Sequence, residues 1–287
     1  MSDAPRRVLI LGATGMLGHE AARVLGRDLT VISAVRDTSR ARRHGVVGEL
    51  TSFDARTEEP DLLIERVRPD AVLNAIGLVK QLPEGQSPSS AIRLNALFPH
   101  ELALACAARD VRLVHVSTDC VFSGELATPA RYTESDVPDA RDVYGRTKLL
   151  GEVDAPALTL RTSIIGWELD RATGLLEWFA SHRGGEVEGF RGARFSGLTT
   201  YELSRVVHSI LLEHRDLSGL WHVASQPTDK YELLLCLREA LGIDCRISPR
   251  DDPIINRALD PSRFERATGY LAPMWQNMAH DYARQTA

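Results

Sequence analysis

The stretch "RVLILGATGMLGHEAARVLG", residues 7–26, decides the fold. Its first five residues form a short apolar run, and from Gly15 onward apolar residues recur at helical spacing, so a strand leads into a helix. Between them stands Gly12-x-x-Gly15-x-x-Gly18. A tight strand-to-helix turn selects glycine by itself. Strand, turn and helix in this order also suit a pyrophosphate, because glycine lets the backbone approach and the helix N-terminus stabilises the charge. The expectation is a bound dinucleotide.

The alternation continues outward. Strands are read at 30–35, 71–77, 112–117 and 157–163, with a short one near 46–50, and helices at 15–26, 60–68, 89–110 and 142–153. Short strands separated by helices make β-α-β units and a parallel sheet covered on both faces. Beyond residue 165 the rhythm changes. Helices at 174–182, 199–214 and 230–242 accompany brief strand candidates at 186–190 and 219–225, and the stretch 253–270 is polar and Arg-rich. The expected class is α/β: a doubly wound parallel sheet of Rossmann type over residues 1–165, with a smaller substrate-binding region over 166–287.

With 44% hydrophobic and 25% charged residues, the 287-residue chain has the composition of an ordinary globular protein. A net charge of −5 gives no global attraction to nucleic acid or to an anionic membrane. Cys106, Cys120, Cys236 and Cys245 form no C-x-x-C pair, so no metal site is expected. Cys106 in "LALACAA" and Cys236 in "LLLCL" read as small core residues. The apolar run before Gly12 is too short for a signal-peptide core or a membrane span, and a reduced, cytoplasmic protein is expected.

The end of the second strand reports on the cofactor. An NAD site places Asp or Glu there for the ribose 2′-hydroxyl. This chain reads "SAVRD" (33–37), and Arg36 can take a 2′-phosphate and stack on adenine. Asp37 could instead turn inward. NADPH is expected, with NADH as the alternative. Arg40, Arg42 and Arg43 read as a solvated loop.

In "YGRTK" (144–148), Tyr144 and Lys148 stand at i and i+4 on one helix face. A phenol with a pKa of about 10 is a poor acid or base at neutral pH, and a nearby ammonium would lower that value. Alone, the spacing describes any helix surface. Its company gives it weight. "RLVHVSTDC" (112–120) ends a parallel strand at the edge where ligands of such sheets bind. Thr118 there can hydrogen bond to a carbonyl oxygen that Tyr144 protonates; Ser117 is the neighbouring candidate, and alternation turns only one of them to the site. "NAIG" (74–77) ends the previous strand and would lie along the cofactor. Lys80, close behind it, is either a substrate contact or a solvated lysine.

Together "GATGMLG" (12–18), "RPDAVLNAIG" (68–77), "STDCVFSG" (117–124), "YGRTKLLGE" (144–152), "LRTSIIG" (160–166), "SGLTT" (196–200) and "SGLWHVAS" (218–225) resemble the extended short-chain dehydrogenases. The likeness is to the dTDP-4-dehydrorhamnose reductase group and related nucleotide-sugar 4-ketoreductases. It implies reduction of the 4-keto group of a dTDP- or UDP-linked 4-keto-6-deoxyhexose by a homodimer, with Thr118, Tyr144 and Lys148 catalytic. It further implies that the turn residues Gly12, Thr14, Gly15, Met16 and Leu17 meet the cofactor and that Asp54 lies near adenine. Ala75, Ile76 and Gly77 would lie along the ribose, Tyr144 and Lys148 would also touch the cofactor, and Asp119 would contact substrate.

Two departures alter the sugar pocket: Ile164 stands where the group has Trp, and Cys120 where it has Tyr. GDP-fucose synthases, which resemble this group, place a Cys at the position of Cys120 and use it with a His to epimerise the sugar. The corresponding stretch "DRATGLLEWF" (170–179) has no His, and His182 lies further on. Cys120 is therefore read as a pocket-lining or packing residue. Epimerisation is kept as an alternative, as is a non-catalytic, NADP-binding regulatory subunit. Arg191, Arg194, Arg257 and Arg263 are candidate cations for a nucleotide diphosphate, with Arg194 taken as a substrate contact.

Overall fold

The computed structural model describes residues 6–79, 87–169 and 172–286. The first part of the chain gives β1 (Arg7–Leu11), α1 (Met16–Leu25), β2 (Thr30–Val35), α2 (Thr38–Arg43), β3 (Glu49–Ser52), α3 (Pro60–Val67), β4 (Ala71–Asn74), α4 (Pro88–Ala91), α5 (Phe98–Ala107), β5 (Arg112–Val116), α6 (Val143–Leu150) and β6 (Leu158–Arg161). Then follow β7 (Ile164–Ile165), α7 (Leu175–Ser181), β8 (Glu186–Phe190), β9 (Ala193–Phe195), β10 (Leu198–Thr199), α8 (Thr200–Leu212) and β11 (Gly219–His222). The last elements are β12 (Thr228–Asp229), α9 (Lys230–Leu241), β13 (Arg246–Arg250), β14 (Ile255–Asn256), α10 (Ser262–Thr268) and α11 (Trp275–Thr286).

Seven strands form one sheet in the order β3-β2-β1-β4-β5-β6-β11, and every pairing in it is parallel. This is a Rossmann-like α/β fold. Strand order reverses between β1 and β4, which opens a crevice at their carboxyl ends where ligands of such sheets bind. Alternate residues of β1 go to opposite faces. Val8 and Ile10 pack with Leu17, Ala21 and Leu25 of α1 and Val206 and Ile210 of α8. Leu9 and Leu11 pack with Leu63 and Ile64 of α3 and Phe98 and Leu102 of α5. Covered on both sides, the inner strands β1 and β4 are almost wholly apolar, whereas the edge strand β3 is polar and partly exposed.

β11 comes from beyond residue 165 and completes the sheet beside β6, with Trp221 opposite Leu160. Smaller sheets are made by β7 with β10, β8 with β13, and β9 with β12 and β14. Among the described residues no helix is long and apolar enough to cross a membrane.

Two sequence readings need correction. Arg40, Arg42 and Arg43 lie on a short helix, α2, rather than in a loop, although all three are exposed. The stretch 89–110 is not one regular helix. Ile92–Leu97 is a π-helix between α4 and α5, and the Phe98 N–H donates to Arg93 O, five residues back. Pro99 has no N–H to give Asn95 O, and the helix widens there. The carbonyl of Asn95 meets the end of α6 instead: a Cβ on Gly151 would stand 1.8 Å from it.

Candidate functional site

The turn after β1 is shaped by contacts only glycine permits. Gly12 has φ +79°, and a Cβ there would lie 2.9 Å from Ala75 O, where the chain leaves β4. A Cβ on Gly18 would lie 2.1 Å from Gly12 O, so α1 packs directly on the turn. Gly15 stands at the N-cap of α1 without a side-chain cap, which leaves the first amides of that helix available to an anion. Thr14 and Gly15 are exposed and Met16 is half-buried. Leu17 is only 4% exposed and packs in the core, so any cofactor contact it makes is through its backbone. Ala75 and Ile76 are half-buried and Gly77 exposed on the facing loop, fixed where Asn74 Oδ1 accepts from the Ile76 N–H at 3.1 Å. This cradle of bare backbone, which a Cβ would fill, fits a dinucleotide.

Arg36 is exposed at the end of β2. Asp37 does not turn inward: its carboxylate caps α2 by accepting the Arg40 N–H at 2.9 Å, and that bond holds its pKa below the ordinary value. Asp54 is engaged by the Arg56 guanidinium, with Arg56 Nε 2.9 Å from Oδ1, and its pKa is likewise lowered, with a smaller contribution from Arg36. Two carboxylates beside Arg36 are thus committed to other partners.

At the end of β5, alternation separates Ser117 from Thr118. Ser117 Oγ donates to Glu152 Oε1 at 2.7 Å. Thr118 turns the other way, where its Oγ1 accepts the Cys120 N–H at 3.1 Å and donates to Asp119 Oδ1 at 3.2 Å. Thr118 also hydrogen bonds with Tyr144. Helix α6 reaches this point because Asp142 caps it, accepting the Gly145 N–H at 2.7 Å, and because Gly145 has no side chain: a Cβ there would lie 2.2 Å from Cys120 O. Thr118, Asp119, Cys120, Tyr144 and Lys148 are thereby brought together.

The expected lowering of the Tyr144 pKa is not what the structure shows. Burial pushes the phenol up, with Cys120 and then Asp119 and Asp142 adding to the effect, while the hydrogen bond with Thr118 opposes it. Lys148 points its Nζ at Val116 O, 2.7 Å away, and burial brings its pKa down to about 8 against the favourable charge of Glu152. Sequence spacing placed the two groups on one face but could not say where the amine points. Tyr144 consequently holds its proton at neutral pH, the state a proton donor needs. Burial also raises the pKa of Asp119, opposed by Arg257.

Cys120 is half-buried, and its thiol hydrogen bonds with Asp119. Ile164 is half-buried in β7 and Arg194 half-buried in β9, both in small sheets outside the central one. Arg257 donates to Phe122 O at 3.0 Å and Ser123 O at 3.1 Å, Arg191 lies over the Tyr231 ring, and Arg263 lies over Trp221. Those three have structural partners; for Arg194 no side-chain partner is seen among the described residues. Lys80 lies outside the described residues. His182 is committed to α7, with its ring against Trp178 and Nδ1 2.7 Å from Trp178 O.

Sequence reading missed three contributors. Gly145 was visible as a glycine inside a helical pattern, which calls for a packing reason. Asn95 is fully buried in the π-helix and binds Leu78 by both its amide groups, accepting the N–H at 2.8 Å and donating to the carbonyl at 3.0 Å, while also donating to Thr147 Oγ1. It fixes the exit of β4 against α6. Glu152, bonded to Ser117 and Arg161, closes the stretch "YGRTKLLGE", but nothing local gave it these partners.

Comparison with known proteins places the chain in a family. A family model described as the RmlD substrate binding domain matches residues 6–170. A probable low-salt glycan biosynthesis reductase of Haloferax volcanii is 31% identical over 240 residues, covering 76% of this chain and 74% of that protein. The dTDP-4-dehydrorhamnose reductase of Mycolicibacterium smegmatis is 34% identical over 147 residues, 51% of this chain and 40% of the relative, so the chain spans less than half the length of that protein. A solved structure of a hypothetical dTDP-4-dehydrorhamnose reductase from Sulfolobus tokodaii has a TM-score of 0.77 at 27% identity, covering 95% of this chain and 99% of that one. With a family match over more than half its length and a relative aligned across most of it, the chain belongs to the RmlD substrate-binding domain family of extended short-chain dehydrogenases/reductases.

Proposed function

We propose that the protein is an NADPH-preferring reductase of the 4-keto group of a nucleotide-linked 4-keto-6-deoxyhexose. The observation that carries this reading is the convergence of Thr118, a proton-bearing Tyr144 and Lys148 at the mouth of β5, beside the glycine cradle. Gly12, Thr14, Gly15 and Met16 would hold the cofactor phosphates, Ala75, Ile76 and Gly77 its ribose, and Arg36 a 2′-phosphate. When bound, the nicotinamide supplies hydride to the sugar carbonyl carbon. Thr118 donates a hydrogen bond to the carbonyl oxygen, and Tyr144 gives its proton to the alkoxide that forms there. Lys148 places a positive charge behind that transfer. Asp119 and Cys120 line the sugar side, with residues 166–287 supplying the nucleotide contacts, Arg194 first among them. The commitment of His182 to Trp178 favours reduction over an epimerisation that would need a second acid or base.

The test is oxidation of NADPH, followed by absorbance, with dTDP-, UDP- and GDP-linked 4-keto-6-deoxyhexoses and with NADH alongside. Turnover with one nucleotide series and weaker turnover with NADH is expected. Tight NADPH binding with no turnover on any of them would overturn the reading and favour a regulatory, cofactor-binding role.

A further inference from the structure

The hydrogen bonds of Thr118 leave the candidate site with a conflict. Its hydroxyl has one proton to donate and two lone pairs. One lone pair takes the Cys120 N–H at 3.1 Å, a donor that cannot be reversed. The other contact is Asp119 Oδ1 at 3.2 Å. A carboxylate only accepts. Facing an ionised Asp119, the hydroxyl gives its proton there and offers the mouth a lone pair, which repels a carbonyl oxygen. Facing a protonated Asp119, it accepts a second bond from the carboxyl O–H. Both lone pairs are then occupied, and what remains to offer is its own proton. Reduction of a ketone needs this second arrangement, because negative charge develops on the carbonyl oxygen.

We propose that Asp119 is a positioning residue that acts through Thr118: its carboxyl group decides whether that hydroxyl turns a proton or a lone pair toward the substrate. Its use in catalysis rests on the reductase reading above. The surroundings favour the acid form. Asp119 is 5% exposed and Thr118 6%, and burial penalises the charged carboxylate. Arg257, on the segment after β14, opposes this by its charge, but its guanidinium is directed at Phe122 O and Ser123 O. From α6 come Tyr144, which holds its proton, Lys148, whose Nζ donates to Val116 O, and Arg146, whose Nε donates to Ala140 O at 3.1 Å. Asp142 caps that helix, and Asp139 before it accepts from Ser123. At the end of β6 Arg161 is paired with Glu152, and on β11 His222 is bonded to Tyr132 O. Cys120 adds its thiol. Burial prevails, and the Asp119 pKa lies above the ordinary carboxylate value.

Neutron diffraction from deuterated crystals of the cofactor-free protein locates these protons directly. Titration of ¹³C-labelled aspartate by NMR first gives the Asp119 midpoint, with Asp119→Asn identifying the signal. Should that variant fail to fold, Thr118→Val, which removes the hydroxyl partner, identifies the same signal by its displacement. Below the midpoint a deuteron is expected on the Asp119 carboxyl, directed at Thr118 Oγ1, with the Thr118 deuteron turned into the mouth. Above it, the Thr118 deuteron should lie on the line to Asp119 Oδ1. A Thr118 deuteron that keeps one direction on both sides of the midpoint overturns the inference. Kinetics tests the use of the switch. In the wild type kcat/KM should fall about tenfold per pH unit above that midpoint, and the step should be absent from the profile of Asp119→Asn, whatever activity it retains. The same step in the variant overturns the role in catalysis. Neither substrate nor cofactor enters the neutron experiment. A fixed deuteron therefore leaves the reductase reading standing, and a protein that reduces none of the sugars leaves the proton positions to decide this one.

Discussion

At the end of β1 the candidate site is made of backbone. Gly12, Gly15 and Gly18 remove every side chain that would obstruct the turn, and the amides of α1 face the mouth. At the end of β5 it is made of side chains, nearly all buried: Thr118 and Asp119 follow the strand, Lys148 reaches back to Val116 O, and Ser117, Glu152 and Arg161 bond to one another beside them. The first region can hold an anion without titrating. The second depends on protonation states set by burial and by charges a few residues away. Binding and chemistry are thus built by different means at neighbouring strand ends, and they should fail separately.

The largest expected effect separates them. Tyr144→Phe removes the proton donor while leaving the glycine cradle intact, so kcat should fall by roughly 10²–10⁴-fold with NADPH affinity unchanged. Steady-state kinetics with a parallel fluorescence titration of NADPH checks this; a variant losing both would show that the two regions are not independent.

The reverse break is Gly18→Ala. Its Cβ would meet backbone, Gly12 O at 2.1 Å, and α1 must move away from the turn. NADPH affinity should fall about 100-fold as charge-assisted amide contacts are lost. The titration of Lys148 at the other mouth should stay where it is in the wild type.

A third prediction concerns the support behind β5. His222 Nδ1 donates to Tyr132 O at 3.1 Å, so Nε2 is the acceptor facing Arg161, and burial together with Arg161 lowers its pKa from 6.5 to about 4. The unfolded chain takes up this proton first as pH falls. The contribution is therefore complete above pH 6.5 and is lost as pH drops to about 4, amounting to about 3 kcal/mol. Urea unfolding across that range should show a steep loss in the wild type and a shallower one in His222→Gln. His115 adds a loss of the same sign in both proteins. Equal slopes would mean that His222 is not held neutral.

The smallest effect sharpens the cofactor reading. Arg36→Ala should weaken NADPH binding about tenfold and leave NADH binding nearly unchanged. Equal losses for both cofactors would assign Arg36 to adenine stacking rather than to a 2′-phosphate.

The sequence made the first region almost fully legible, because every signal there is local: an apolar run, three glycines, a helical repeat. The second region was legible only as a list of groups. Tyr144 and Lys148 announced themselves by helical spacing and Thr118 by its place after a strand. The direction of the amine and the raised phenol pKa came from burial, which no local pattern records. Ser117, Glu152 and Arg161 lie on three different segments, and only the pairing of β5 with β6 brings them together. Pro99 did leave a trace of the π-helix, since a proline inside a helical repeat has to be accommodated somehow. For β11 the sequence showed a strand but not its neighbour.

That last strand has a consequence for synthesis. Until residues 219–222 emerge, β6 stands at the rim of the sheet with unpaired amides and carbonyls, and Leu158 and Leu160, fully buried in the finished protein, have an uncovered neighbour. Such a rim is a template for pairing with other chains. A fragment ending at residue 165 should therefore collect in the insoluble fraction, whereas one that includes β11 can close the sheet.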